Sequence, residues 1–272
     1  MYRDILVQLD GTPRATVRLD VASTFTKHHG ERLIGLFAHI DPDERSMVAR
    51  RSSSSLCEMA AAAEVAFRQK CADVGVDCEW MCLPFGEHNF IIREIAICSR
   101  YSDLTILGQF DPTTDRHVLP VELNEEIILQ SGGPVLVVPY AGTFPSLGKK
   151  VLLAWNGSRE AARALRDALP VLAHAQEVRV LGLHARIARP EIDLPQINIL
   201  NRLKNQGIKA DYEVIDVDGI GPMDFVLSRA ADDDADMIVM GGFGGYGLPG
   251  FSRGAGTRHM LRHMTVPVMF SH

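Results

Sequence analysis

The chain has 272 residues, 46% of them hydrophobic and 23% charged, with a formal net charge of -6. That length suits two domains of ordinary size, and the acidic balance excludes a general nucleic-acid or anionic-membrane surface, which needs clustered Lys and Arg. The five cysteines, Cys57, Cys71, Cys78, Cys82 and Cys98, form no C-x-x-C pair; with no leader-like start and no apolar run of about 18 residues, the expectation is a soluble cytoplasmic protein with reduced thiols.

In chain order, short apolar runs alternate with longer segments of helical period, the pattern of a parallel sheet covered by helices. The first half predicts strands near 4–9, 33–40, 77–83, 103–108 and 134–138, with helices near 13–29, 46–74, 87–101 and 121–131. Within the 46–74 segment, Arg50-Arg51-Ser52-Ser53 reads as a solvated loop with an N-cap serine rather than a phosphorylation site. Pro139 to Gly148 is rich in Pro and Gly and reads as a linker. The second half predicts strands near 150–155, 177–184, 209–215, 236–240 and 267–270, with helices near 159–174, 195–206, 222–233 and 255–264.

The halves repeat each other. Ile5-Leu-Val-Gln-Leu-Asp10-Gly11-Thr12 is echoed by Val151-Leu-Leu-Ala-Trp-Asn156-Gly157-Ser158, Asp103-Leu-Thr-Ile-Leu-Gly108 by Asp236-Met-Ile-Val-Met-Gly241, and Gly133-Pro134-Val-Leu-Val-Val138 by Thr265-Val-Pro267-Val-Met-Phe270. Three matched segments in one order indicate a tandem duplication, with domains at 1–140 and 149–272. Each would be an open five-stranded parallel sheet, doubly wound with helices on both faces. The last strand of each copy has no successor to cover it, so the two edges are expected to pair as an internal pseudo-dimer, which leaves room for a further homodimer.

Only the second copy ends in a glycine-rich loop, Gly241-Gly242-Phe243-Gly244 through Gly254-Ala255-Gly256-Thr257. In an open parallel sheet, ligands bind beyond the carboxyl ends of the strands, and this loop joins such an end to a helix start. Glycine permits close backbone approach, and a helix N-terminus offers N–H groups to phosphate. Gly242-x-Gly244-x-x-Gly247 does not serve as a dinucleotide fingerprint, because Pro249 and Gly250 follow it where a helix should open. The Gly-Lys-Ser/Thr of a phosphate loop is absent.

Gly241-x-x-Gly244, nine residues, then Gly254-Ala255 resembles the ATP-binding signature of the universal stress protein family, G-x-x-G, nine residues, G-(S/T). With the strand before the loop, both strand-one segments and the Pro-Val final strands, the resemblance spans nearly the whole chain as a tandem member. It implies an adenine-nucleotide alpha-hydrolase-like fold and ATP or a related adenine nucleotide, with or without Mg2+, in the second domain. By the same resemblance Asn156, where relatives often carry Asp, and Ala185 would flank the adenine, and Met240 and Gly241 would close the base and ribose side. Gly244 would admit the phosphates, and the N–H groups of Gly254, Ala255 and Gly256 would hold them. Ala255 replaces the usual hydroxyl residue, with Thr257 standing in from two positions on.

The first copy has no glycine between Gly108 and Gly132 and carries Asp111, Asp115, Glu122, Glu125 and Glu126 in the matching stretch, so it is expected to bind no triphosphate. No catalytic nucleophile, general base or metal-ligand set accompanies the loop: His259 and His263 read as surface residues, Glu87-His88 as helix-start charge, and Asp232 to Asp236 as solvated acids. The expected role is therefore regulatory binding or stress survival. Two alternatives stay open, a slow nucleotide hydrolase or transferase using Arg253 or Arg258 to stabilise phosphate charge, and an interaction protein without nucleotide.

Overall fold

The computed structural model describes residues 1–43, 50–113, 117–184, 198–216, 221–244 and 254–272. The chain forms two compact units, Met1–Pro145 and Ser146–His272, so the division falls within the Pro- and Gly-rich bridge. Among the described residues no helix is long and apolar enough to cross a membrane.

In the first unit, β1 (Asp4–Leu9), β2 (Arg32–Phe37), β3 (Asp77–Cys82), β4 (Leu104–Gly108) and β5 (Val135–Val138) form a parallel sheet in the order β3-β2-β1-β4-β5. β1 is central, with Ile5 in register with Leu33 on one side and Leu104 on the other. Buried on both faces, β1 and β4 read as continuous apolar runs rather than alternating ones. Helices α1 (Pro13–His29) and α2 (Ser54–Val74) pack together, as do α3 (His88–Ser99) and α4 (Leu123–Gln130), the pairing a doubly wound sheet requires.

Helix α2 begins later than its composition suggests. The Ser53 hydroxyl accepts from Leu56 N at 3.1 Å and fixes the first turn at Ser54. Residues 50–53 are not helical, which corrects the expected start at 46, while 46–49 lie outside the described residues.

The second unit repeats the plan with β6 (Lys150–Trp155), β7 (Glu177–His184), β8 (Asp211–Asp216), β9 (Met237–Gly241) and β10 (Val268–Ser271), in the order β10-β9-β6-β7-β8. Its helices are α5 (Arg159–Leu172), α6 (Ile199–Lys204), α7 (Pro222–Asp232) and α8 (Ala255–His263). Of the 195–206 expected for α6, 195–197 lie outside the described residues, Asn198 caps the helix by accepting from Asn201 N at 2.7 Å, and the helix ends at Lys204.

The duplicated aspartates have a common structural task. Asp103 accepts from Arg3 N at 2.7 Å and Asp4 N at 3.1 Å, holding the start of β1. Asp236 does the same for β6, accepting from Lys149 N at 3.2 Å and Lys150 N at 3.1 Å. Strand-end amides that lack a ladder partner are thereby satisfied.

All five cysteines are free thiols. At the end of α2, Cys71 is buried, and this burial, reinforced by the neighbouring Cys78 thiol, pushes its pKa up to about 12. Because the thiolate is the nucleophile, alkylation of the folded protein at pH 8 is expected to modify exposed Cys57 and leave Cys71 intact until denaturant is added. Peptide mapping after timed iodoacetamide treatment checks this; equal rates at the two positions would contradict it.

Candidate functional site

In the second unit the strand order reverses between β6 and β9, since the connections from β6 run first to β7 and β8 and then back to β9 and β10. The crevice outside the carboxyl ends of two such strands is where an open α/β sheet binds ligands. Trp155 ends β6 and Gly241 ends β9 there.

After β6, Asn156 is exposed and its Oδ1 accepts from Ser158 N at 3.1 Å. Ser158 in turn caps α5, accepting from Ala161 N at 3.1 Å. The first unit builds the same turn more tightly, Asp10 Oδ1 accepting from Thr12 N at 3.0 Å and from the Thr12 hydroxyl at 2.6 Å.

The first turn of α5 lies directly against β9. A Cβ on Gly241 would sit 2.6 Å from both the backbone N of Ala161 and the carbonyl carbon of Glu160, so glycine there sets the helix–strand distance. Met240 is 6% exposed and paired in register with Ala154 and Phe270, which makes its side chain part of the core. A Cβ on Gly244 would come 3.2 Å from Glu160 Oε2.

Beyond the loop, Gly254 opens α8 in the left-handed region at φ 80°, with no side-chain cap. A Cβ at Gly254 would lie 2.5 Å from the Phe243 ring, so only glycine meets both demands. Phe243, itself at φ 53° and 3% exposed, donates its N–H to the Thr257 hydroxyl at 2.7 Å, and the Arg258 guanidinium lies 5.5 Å over its ring. Phe243 thus pins the Gly241–Gly244 turn to the first turn of α8.

The structure therefore brings Gly241, Gly244, Gly254, Ala255, Gly256 and Thr257 around one turn and one helix start. Thr257 is 3% exposed, and its hydroxyl oxygen is engaged by the loop backbone. Ala185 and the nine residues between Gly244 and Gly254, Arg253 among them, lie outside the described residues. His259 Nε2 pairs with Asp224 Oδ1 at 2.7 Å beside the His263 ring. Among the described residues no group of three His, Cys, Asp or Glu side chains converges for a metal ion.

Sequence reasoning missed Phe243 and Glu160. Glu160, the second residue of α5, is 5% exposed and pairs with exposed Arg159 at 2.6 Å. Burial pushes its carboxyl up, but hydrogen bonds from Arg159, its own N–H and Ser158 outweigh that and hold its pKa below the usual value. The available signal was the repeat itself, since the aligned residue of the first copy is Arg14.

At the equivalent edge of the first unit an ion pair takes the place of a glycine loop. Asp10 and Arg18, 3% and 4% exposed, pair at 2.6 Å. Arg18 also donates to Gln8 O at 2.6 Å and covers Gly108, where a Cβ would lie 2.0 Å from Nη1. Arg14 donates to Pro139 O at 2.8 Å. Burial pushes the Asp10 carboxyl up, yet Arg18 and the Thr12 hydrogen bonds leave it below its ordinary value.

Residues 148–272 match the universal stress protein family. No curated protein matches the chain. Among solved structures, a universal stress protein from Archaeoglobus fulgidus superposes with a TM-score of 0.73 at 21% identity, covering 98% of this chain and 97% of that one. A Pseudomonas aeruginosa structure assigned to the same family gives a TM-score of 0.59 at 19% identity, covering 99% and 93%. At these identities the likeness establishes the fold: both units are α/β with parallel sheets of this type.

Proposed function

We propose, from the match of residues 148–272 to the universal stress protein family, that the second unit binds ATP or a related adenine nucleotide in a regulatory, stress-survival role. The observation that carries the reading is Gly254, left-handed and uncapped at the head of α8, held against the Gly241–Gly244 turn by Phe243. The first N–H groups of an α-helix have no intrahelical acceptor, and those of Ala255, Gly256 and Thr257 head a helix with no acidic residue in its first turn. Such a terminus suits phosphate.

In this reading Asn156 and Ala185 flank the base, Met240 and Gly241 contribute backbone on the ribose side, and Gly244, Gly254, Ala255 and Gly256 receive the phosphates, with Thr257 bracing the turn. Any Mg2+ would arrive on the nucleotide's own phosphates. The first unit binds no triphosphate, because its equivalent edge is closed by the Asp10–Arg18 pair and its loop has no glycine to admit one. A cytoplasmic location goes with the five free thiols.

Calorimetric titration with ATP and Mg2+ tests the reading, with Gly254→Glu beside the wild type. One site per chain is expected, lost in the variant, whose side chain meets Phe243 and whose charge opposes phosphate. Wild-type protein of intact circular dichroism that gives no heat with any adenine nucleotide would overturn it.

A further inference from the structure

We propose that Cys71 and Cys78 are an oxidation site: a pair of thiols that a peroxide converts to a disulfide between the end of α2 and the start of β3. The inference is independent of the nucleotide reading and concerns the first unit alone.

The backbone brings the pair together. Four of the five cysteines lie on two neighbouring elements, Cys57 and Cys71 on α2, Cys78 and Cys82 on β3. Along a strand alternate residues share a face, so Cys78 and Cys82 flank Trp80, whose ring centroid stands 5.3 Å from that of Phe67 on α2 and which packs on the Leu56 and Ala60 cluster. That face is the one α2 covers. Phe67 and Cys71 are four apart and share one side of the helix; Cys71 is a turn nearer its end, as Cys78 is nearer the start of β3 than Trp80. Between the two cysteines the chain reverses at Gly75, left-handed at φ 76°, where the N–H groups of Gly75 and Val76 donate to Cys71 O at 2.9 and 3.0 Å. Cys71 and Cys78 thus meet across the junction, and their thiols are hydrogen-bonded to each other. Cys82, farther along the same face, instead donates its thiol to Leu83 O at 3.4 Å.

The two thiols differ as such a pair requires. Cys71 is 1% exposed, whereas Cys78 is half-buried and within reach of a small oxidant. The Cys78 thiolate attacks one oxygen of hydrogen peroxide, the O–O bond breaks, and Cys78 becomes a sulfenic acid while the departing hydroxide takes up a proton to form water. The Cys71 sulfur then attacks the Cys78 sulfur. The S–S bond forms, the S–O bond breaks, and the Cys71 proton leaves with the hydroxide as a second water. Two thiols are oxidised and one peroxide is reduced to two waters.

The test treats the reduced full chain with one equivalent of hydrogen peroxide at about pH 8, blocks the remaining thiols in denaturant and maps the peptides by tandem mass spectrometry. The tryptic fragment Cys71–Arg93 holds Cys71, Cys78 and Cys82. It is expected to lose two hydrogens, with the bond assigned to Cys71 and Cys78, to regain them in dithiothreitol, and to keep the same bond in Cys82→Ser. In Cys71→Ala the crosslink within the fragment is expected to be about tenfold rarer, and Cys78 to stop at a sulfenic acid that dimedone traps. Wild-type protein in which Cys78 is bonded to Cys82 or Cys57, or is oxidised to sulfinic acid with Cys71 still free, overturns the proposal. So does a wild type that keeps both Cys71 and Cys78 as thiols while Cys57 is consumed.

Discussion

An Arg18→Ala variant is expected to lose about 3–5 kcal/mol of stability at neutral pH, because removing one partner of a buried ion pair strands the other charge. Asp10 is 3% exposed, and the guanidinium that stands 2.6 Å away is its charged partner. The same guanidinium also satisfies the Gln8 carbonyl and fills the space over Gly108, and both are lost together. The pH dependence separates this account from simple loss of packing. In the wild type the folded Asp10 pKa lies below its ordinary 3.8, so its contribution is present above that value and is lost as pH falls through the lower, folded one. In the variant, burial without a partner raises the carboxyl, and protonation then favours the folded state. The stability difference should be largest near pH 7 and narrow toward pH 4. Urea unfolding across that range measures it; a loss below about 1 kcal/mol at pH 7 would mean that the pair is not the seal it is taken for. Replacing both partners, Asp10→Asn with Arg18→Met, should cost less than Arg18→Ala alone.

Gly241→Ala is expected to destabilise the protein by about 1–3 kcal/mol and to weaken adenine-nucleotide binding as well. The added carbon would stand 2.6 Å from backbone atoms of Glu160 and Ala161, and backbone within a helix cannot swing aside as a side chain can. The head of α5 must retreat from β9, carrying Glu160 away from Gly244 and Asn156 away from the loop. Gly244→Ala makes the control, since its Cβ would meet only the end of the Glu160 side chain at 3.2 Å. That variant should keep its stability within about 0.5 kcal/mol. Thermal unfolding and titration of both proteins decide the matter; equal stability in the two would show that the helix–strand distance is adjustable.

The parts of this molecule legible in the sequence are those that residue type itself dictates. Continuous apolar runs marked β1, β4, β6 and β9, and their ordered repetition marked two copies of one fold. Gly254 stood out only through its spacing from Gly241 and Gly244; that it is left-handed and packed against the Phe243 ring depends on the fold. The start of α2 was not legible, since Ser53 is fixed partly from afar, its N–H donating to Asp41 at 2.9 Å. Glu160 was missed for a related reason. A carboxylate at a helix start ordinarily complements the dipole in solvent, and only Gly241 at the end of β9 and Gly244 just beyond it, more than 80 positions later in the chain, bring it beside the loop. Thr257 offered a hydroxyl on paper, but its partner, Phe243 N, is set by the turn between them rather than by any local pattern.

The aspartate clasps at Asp103 and Asp236 carry a consequence for biosynthesis. Each ties the first strand of its unit to a residue 100 or 87 positions later, and β1 gains one of its two neighbours only when β4 is present. As the chain leaves the ribosome, the earliest strand therefore waits, half covered, for most of its unit to emerge, and a nascent chain that stalls before Asp103 presents an apolar edge to the cell. Such long-range closure makes folding slow relative to helical proteins of the same size. Each repeat therefore completes its central strand only when most of its own length has been made.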